Sequence, residues 1–187
     1  MKNHSGLKAL KEGDASWSWW QKCRTIKPID MSYLDLSTAL NCKRLQYIYF
    51  KEVNFYRSNL SHLYINDSGF SNSNLRQANL SNTEMNQMGL KDTDLSDANL
   101  ENAVIIDADI HRVDLRNCNL RNAHIQKVDL SNSNLKGADL RGSLFMRVNL
   151  DKVDLSNANL EGAKFTKCTF GRIKLHNANL TNIRVRI

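Results

Sequence analysis

Every fifth residue from Leu40 to Val185 is hydrophobic, with no missed step. The series runs Leu40, Leu45, Phe50, Phe55, Leu60 and Ile65 through to Phe170, Leu175, Leu180 and Val185. It makes thirty consecutive positions and takes in all six phenylalanines of the chain. A helix repeats every ~3.6 residues and a strand every ~2, so neither produces this comb. A fixed period sustained this long makes the repeat itself the architecture.

Two residues before each comb position stands Ala, Ser, Thr, Cys or Val in 24 of the 30 repeats; the exceptions are Lys43, Ile48, Leu63, Met88, Ile173 and Ile183. Each repeat therefore sends one large and one small side chain inward. The residue just before the comb position is mostly Asn or Asp, and the two after it are polar or glycine, which suits turns and water. A unit of this size makes one short side and one corner, so several units must close a coil. The comb residues at 40, 60, 80 and onward to 180 are all Leu, as are those at 75, 95, 115, 135, 155 and 175. Those at 65, 85, 105, 125, 145 and 165 are Ile, Met, Ile, Ile, Phe and Phe. This variation has a period of 20 residues, which implies four sides per turn. Stacked at the parallel-strand spacing of about 4.8 Å, roughly 7.5 coils make a rod about 36 Å long. A right-handed sense is expected for parallel crossovers.

The motif small–Asn/Asp–Leu–polar–polar is seen in Ala78-Asn79-Leu80, Ala98-Asn99-Leu100, Ala138-Asp139-Leu140, Ala158-Asn159-Leu160 and Ala178-Asn179-Leu180. Over residues 40–185 it resembles the pentapeptide-repeat family, whose members form a right-handed quadrilateral β-helix. The resemblance implies an all-β solenoid, a right-handed quadrilateral parallel β-helix of about 7–8 coils over residues 29–187. A short N-terminal α-helical cap is expected over residues 1–28. The stretch from Leu7 to Gly13, Trp17, Trp20 and the join Pro28-Ile29-Asp30-Met31-Ser32 also resembles a leader found before many bacterial members. Met31 and Leu36 are five apart, but the next comb residue is Leu40, so the first partial coil is out of phase with the array.

A stacked coil leaves unpaired edges and an apolar cross-section at both ends, so arrays need caps. Leu7, Leu10, Trp17 and Trp20 fit one face of an N-terminal capping helix, and Pro28, the only proline, marks the exit from it. All five tyrosines, Tyr33, Tyr47, Tyr49, Tyr56 and Tyr64, precede residue 65, and most of them are expected to pack under this cap. At the other end the comb runs to Val185 and the sequence ends at Ile187. The resemblance implies a possible end-to-end homodimer through the C-terminal coil. Arg172, Arg184 and Arg186 offer the alternative of a charged guard on an open edge.

Three of the four sides are monotonous. The fourth, carrying Leu45, Ile65, Met85, Ile105, Ile125, Phe145 and Phe165, is not. The residues before its comb positions read Arg44, Tyr64, Glu84, Val104, His124, Leu144, Lys164 and Arg184, none of them Asn or Asp. On a strand both neighbours of an inward residue point outward. Val104 and Ile106, His124 and Gln126, and Leu144 and Met146 are therefore vertical neighbours, four exposed apolar side chains around one histidine. An apolar patch on a protein surface marks a partner site. The candidate partner-binding residues are Val104, Ile106, His124, Leu144 and Met146. Beyond them lies a basic patch of Lys127, Arg147, Lys164, Lys167, Arg172, Arg184 and Arg186.

Charge narrows the function classes. The net charge is +7, unevenly spread: residues 36–160 are neutral and residues 161–187 carry +5. The family resemblance implies DNA mimicry at gyrase or topoisomerase IV as one activity, which needs an acidic surface imitating phosphate. A neutral array with a basic end disfavours it. Nucleic-acid or anionic-lipid binding through the basic C-terminal end stays open, although aromatic residues for base stacking are not interleaved there. His4, His62, His111, His124 and His176 fall on different sides or in the leader, so no metal site is expected. Cys23, Cys42, Cys118 and Cys168 are far apart, and the last two sit at inward positions as small hydrophobes. With no phosphate loop or nucleophile motif, neither an enzyme nor a cofactor is expected. The N-terminus lacks an apolar signal core and no apolar run reaches the ~20 residues of a membrane span, so a cytoplasmic location is expected. The reading from sequence is a non-enzymatic, regulatory scaffold, bacterial in type, presenting one irregular face to a protein partner.

Overall fold

A computed structural model describes residues 4–12, 29–40 and 43–187. From Arg44 onward each residue stacks on the one twenty places ahead. Strands β2 (Arg44–Gln46), β4 (Tyr64–Asn66), β5 (Glu84–Asn86), β6 (Val104–Ile106), β7 (His124–Gln126), β8 (Leu144–Met146), β9 (Lys164–Thr166) and β10 (Arg184–Arg186) form an eight-stranded parallel sheet in chain order. The other sides carry isolated parallel bridges in the same register, such as Asn54 with Asn74, Asn59 with Asn79 and Gly69 with Gly89. Four such columns per turn make a quadrilateral β-helix with eight rungs on its flat sheet.

The repeat chemistry explains each layer. The Leu100 N–H donates to the Asn119 carbonyl at 2.7 Å, and the Asn119 N–H donates to the Ala98 carbonyl at 3.0 Å. Adjacent coils thus satisfy one another's backbone at every side. Corners are turned by a residue of positive φ two places after the comb position, Asn82, Asn102 and Asn122 among them at 56° to 57°. Asparagine and aspartate tolerate that conformation better than most side chains. The residue before the comb position braces the corner. Asn99 Oδ1 accepts from the Glu101 N–H at 3.1 Å, and the Asn119 amide donates to Asn99 Oδ1 at 3.0 Å. Small hydroxyls are tolerated inside because each finds a carbonyl: Ser73 donates to Phe50 at 2.6 Å and Thr93 to Phe70 at 2.8 Å.

Comb residues form one continuous core along the rod. Aromatics cluster toward its two ends. Phe50 stacks on Phe70 and Phe145 stacks on Phe165, both with ring centroids 4.8 Å apart.

The phase slip near Leu36 has a specific cause. Strand β1 (Ile29–Asp30) pairs with β3 (Val53–Asn54), and Asp35 bridges Asn59, both at an offset of 24 residues. The four extra residues fall between Leu36 and Arg44 and begin in a short helix, α2 (Leu36–Ala39), capped by Asp35, whose Oδ1 accepts from the Thr38 N–H at 3.3 Å. Leu36 therefore takes the place beneath Leu60. Leu40, the first tooth of the comb in sequence, is the C-cap of this helix and lies outside the coil ladder.

Helix α1 (His4–Glu12) buries Ala9 and Leu10 in the core cluster that includes Ile29 and Met31, with Leu7 half-buried beside them. Gly13, Trp17, Trp20, Pro28 and the boundary expected after residue 28 lie outside the described residues. The expectation for the tyrosines fails. Tyr33, Tyr47, Tyr49 and Tyr64 are exposed, and only Tyr56 is partly covered, its ring edge-to-face with Tyr33 at 5.6 Å. Tyr49 and Tyr64 stand immediately before comb residues and Tyr47 at a corner, all outward places in this coil.

At the far end the last coil is open. Phe170, Leu175, Leu180 and Val185, which point inward like their equivalents, are 36% to 51% exposed. No helix among the described residues is long and apolar enough to cross a membrane.

Candidate interaction face

The flat sheet is the one side built from three-residue strands. On each, the middle residue is turned into the core and its two neighbours face outward, the last rung excepted in that Val185 has no coil above it. Two outward columns result. One reads Arg44, Tyr64, Glu84, Val104, His124, Leu144, Lys164, Arg184; the other reads Gln46, Asn66, Asn86, Ile106, Gln126, Met146, Thr166, Arg186. Side chains in a column are spaced by the rung separation of about 4.8 Å.

The five candidate partner residues are brought together. Val104, His124 and Leu144 are consecutive in the first column, and Ile106 and Met146 flank Gln126 in the second. All five are half-buried rather than fully exposed, since each lies against the side chains above and below it. His124 Nε2 is shielded from solvent and has no hydrogen-bond partner among the described residues. A polar atom in that condition is costly unless something satisfies it.

The basic patch is only partly one surface. Lys164, Arg184 and Arg186 lie on the two outward columns, and Lys127, Arg147 and Lys167 line the adjoining corner. Arg172 does not join them. It sits on another side, where its N–H donates to Asp151 Oδ1 at 3.1 Å and its guanidinium lies 3.9 Å from the same carboxylate. Lys127 is held by Asp107 at 3.3 Å. Arg147, Lys164, Lys167, Arg184 and Arg186 make no ion pair among the described residues. Elsewhere on the rod cations mostly lie against carboxylates: Arg112 with Asp92 at 2.8 Å, Arg116 with Asp114 at 2.6 Å and Lys174 with Asp154 at 3.6 Å. An open groove of about 250 Å³ between β8, β9 and β10 is lined by Leu144, Lys164, Phe165, Thr166, Arg184 and Arg186.

Sequence reasoning placed Glu84 on this face but gave it no role, and it did not single out Asp107. Glu84 stands one rung below Val104, and Asp107 occupies the corner beside Ile106. Their relation to the cations is visible in the sequence once residues are aligned every twenty places. Along the first column Glu84 precedes the apolar band, and Lys164 and Arg184 follow it.

Among the described residues no group of three His, Cys, Asp or Glu side chains is placed to hold a metal ion. Cys118 is fully buried, which pushes its thiol far above the usual range, and burial also raises that of Cys168. Neither has the features of a reactive thiolate.

The chain is similar in fold to several solved structures. One is HetL, a pentapeptide repeat protein involved in heterocyst differentiation regulation from the cyanobacterium Nostoc sp. strain PCC 7120, at 25% identity over 83% of this chain and 80% of that one, TM-score 0.47. Another is a trypsin-treated form of QnrB1, a plasmid-mediated fluoroquinolone resistance protein, at 16% identity over 83% and 86% of the two chains, TM-score 0.47. A third is Rfr23, a pentapeptide repeat protein from the cyanobacterium Cyanothece 51142, at 24% identity over 78% and 88%, TM-score 0.24. No curated protein sequence matches the chain. The sequence profile described as the pentapeptide repeat region matches residues 68–143 and 123–186, well over half of the chain. With its five-residue comb and twenty-residue coil, the chain belongs to the pentapeptide repeat family.

Proposed function

We propose that this protein is a non-enzymatic scaffold whose flat sheet receives a protein partner. The observation that carries this reading is the in-register band Val104, His124, Leu144 beside Ile106 and Met146, set against cations that lack counter-charges. Apolar side chains at adjoining rungs form one continuous strip, and a strip of that kind gains most when another protein covers it. The inward residues are committed to filling the coil, which leaves chemistry to outward side chains, and among the described residues these assemble no acid–base or nucleophilic constellation.

The open C-terminal coil supports a second contact, an end-to-end homodimer. Phe170, Leu175 and Leu180 expose apolar surface there, and their N–H groups find no backbone acceptor among the described residues. In every earlier coil the equivalent N–H bonds to the coil above.

The test of the scaffold reading is capture of proteins from the source cell extract by wild type and by Val104→Asp/Leu144→Asp, at low and high salt. A specific protein retained by wild type and lost by the variant is the expected result. Retention by both overturns the assignment of the face. Recovery of salt-labile nucleic acid alone would move the function to the basic end. Inhibition of gyrase supercoiling by the purified protein would revive the DNA-mimic reading, which the net charge of +7 argues against.

A further inference from the structure

We propose that the partner of the flat face is a second copy of the same chain, docked face to face with its rod reversed. The proposal rests on the reading of this face as a partner surface and specifies who occupies it.

Two-fold symmetry makes an interface self-complementary: if one residue meets a second, the second meets the first. Place the axis in the plane of the interface, along β7. The columns then face their own equivalents and the rungs run in opposite directions. Strand β6 meets β8 of the other copy, β5 meets β9, and β4 meets β10.

The chemistry that this register brings together is favourable at its three rung pairs, while on the axis itself His124, Gln126 and Lys127 face their own equivalents. Val104 opposes Leu144, and Ile106 opposes Met146, apolar on apolar. Glu84 opposes Lys164, opposite charges in the same column. Tyr64 opposes Arg184, a ring against a guanidinium. At the corner Asp107 opposes Arg147. Every one of these contacts occurs twice. Lys127, which would face its own equivalent near the axis, is already held by Asp107 at 3.3 Å, and a carboxylate has the capacity to accept from Arg147 as well. Arg44 on β2 falls beyond the overlap.

One neighbouring register is worse. Moving the axis between β6 and β7 sets Arg44 against Arg184 and Glu84 against Leu144. The first is a repulsion and the second desolvates a carboxylate without a partner. The other three sides carry repeated Asn and Asp columns and offer no comparable alternation of acid, apolar and base.

Size sets the strength. Seven rungs at ~4.8 Å and three residues of width at ~3.3 Å give a footprint on the order of 340 Å² per copy. That is below the roughly 800 Å² per partner of a standard stable interface, so the dimer is weak, with a Kd in the micromolar range or above.

The experiment is sedimentation of the full chain up to about 100 μM in low salt, as wild type, Glu84→Lys, Lys164→Glu and the double exchange Glu84→Lys/Lys164→Glu, each checked for folding by circular dichroism. Wild type is expected to self-associate. Each single change should weaken association about tenfold, because two like-charged pairs replace two attractive ones. The double exchange restores the pairing and should return association toward wild type. That rescue is the decisive outcome, since nonspecific damage to the surface does not reverse. Association indifferent to the single changes, or not rescued by the double exchange, overturns the proposal. Association that survives Val104→Asp/Leu144→Asp but is lost in Leu180→Asp overturns it in favour of the coil end. A wild type that stays monomeric overturns self-docking, yet leaves the scaffold reading intact if extract capture still depends on Val104 and Leu144.

Discussion

Leu144 of β8 pairs in register with Lys164 of β9, and this pair marks the line where the apolar band of the flat face gives way to its cationic end. The next residue along β8, Phe145, points the other way, is fully buried and stacks on Phe165 at 4.8 Å. Two adjacent residues thus belong to different problems, recognition and stability. Phe145→Ala should cost about 3–5 kcal/mol, from lost burial and the cavity left behind. Leu144→Ala should cost roughly 1 kcal/mol or less, since its side chain is only half-buried. Urea unfolding of the two variants checks the contrast. Equal losses would mean that the flat face is part of the core.

The same division holds between Asn99 and Leu100. Leu100 is 1% exposed and has coils above and below it. Leu100→Asp places a carboxylate there without a partner and should unfold the rod or cost several kcal/mol. Asn99 bridges its neighbours through single hydrogen bonds to Asn79, Asn119 and Glu101. Asn99→Ala should cost only about 1 kcal/mol. Thermal melts by circular dichroism that ranked the two the other way would contradict the inward assignment of the comb.

Much of this was legible in the sequence because a closed coil has few ways to satisfy its backbone. The five-residue comb assigns inward and outward positions, and the recurrence of Leu at 60, 80 and 100 sets the coil at twenty residues. The irregular column from Arg44 to Arg184 was legible for the same reason. What failed shows where the rule was not followed through. The tyrosines were expected to pack under a cap because aromatic rings usually seek burial. Tyr47, Tyr49 and Tyr64 nevertheless occupy outward places by the comb's own arithmetic, and they are exposed. The slip between Leu36 and Leu40 was visible as a phase error. Its resolution as a capped helical turn was not, because it depends on Asp35 meeting Asn59 at an offset of 24 residues. Arg172 was grouped with the basic patch by sequence proximity, whereas its corner turns it toward Asp151.

Thiol accessibility should separate two cysteines at equivalent inward positions. Cys118 is buried in mid-rod and Cys168 lies half-covered in the open coil. Iodoacetamide labelling of the native protein, read by peptide mass mapping, should modify Cys168 first. Cys118 should react only through global unfolding, slower by a factor on the order of a thousand or more. Early labelling of Cys118 would mean that the mid-rod coils open locally.

Acid should weaken the rod through its aspartates. Arg141 holds the Asp139 carboxyl below the usual carboxylate range through a hydrogen bond from Nε at 2.9 Å, and Arg112 does the same for Asp92 on the coil below. A folded-state pKa depressed below the unfolded one contributes stability that is present above the unfolded value and lost as pH falls through the folded one. The melting midpoint should therefore hold from neutral pH to about 5 and decline below about 4, where the carboxylates take up protons. Arg141→Gln should melt lower than wild type at neutral pH and converge with it near pH 2, where Asp139 is protonated in both. Curves that stayed parallel across that range would show that the Asp139–Arg141 contact contributes nothing to the pH dependence.

The open end makes the sharpest contrast with the interior. Leu140 and Leu180 are the same residue type on the same side of the coil, two turns apart. Leu140 is 1% exposed and Leu180 41% exposed. Leu140→Asp should be as damaging as Leu100→Asp, for the same reason. Leu180→Asp leaves its carboxylate in contact with water and should cost no more than about 1–2 kcal/mol. If the terminal coil docks end to end with another copy, the same change should abolish that contact, because it places two like charges in a newly buried apolar cross-section. Melting curves and sedimentation of the two variants separate the possibilities. A folded Leu180→Asp protein is expected, and a loss of self-association in it would place the contact between copies at the coil end rather than on the flat face. A Leu180→Asp protein as unstable as Leu140→Asp would mean that the last coil is covered after all, from within the chain or by a copy bound too tightly to separate.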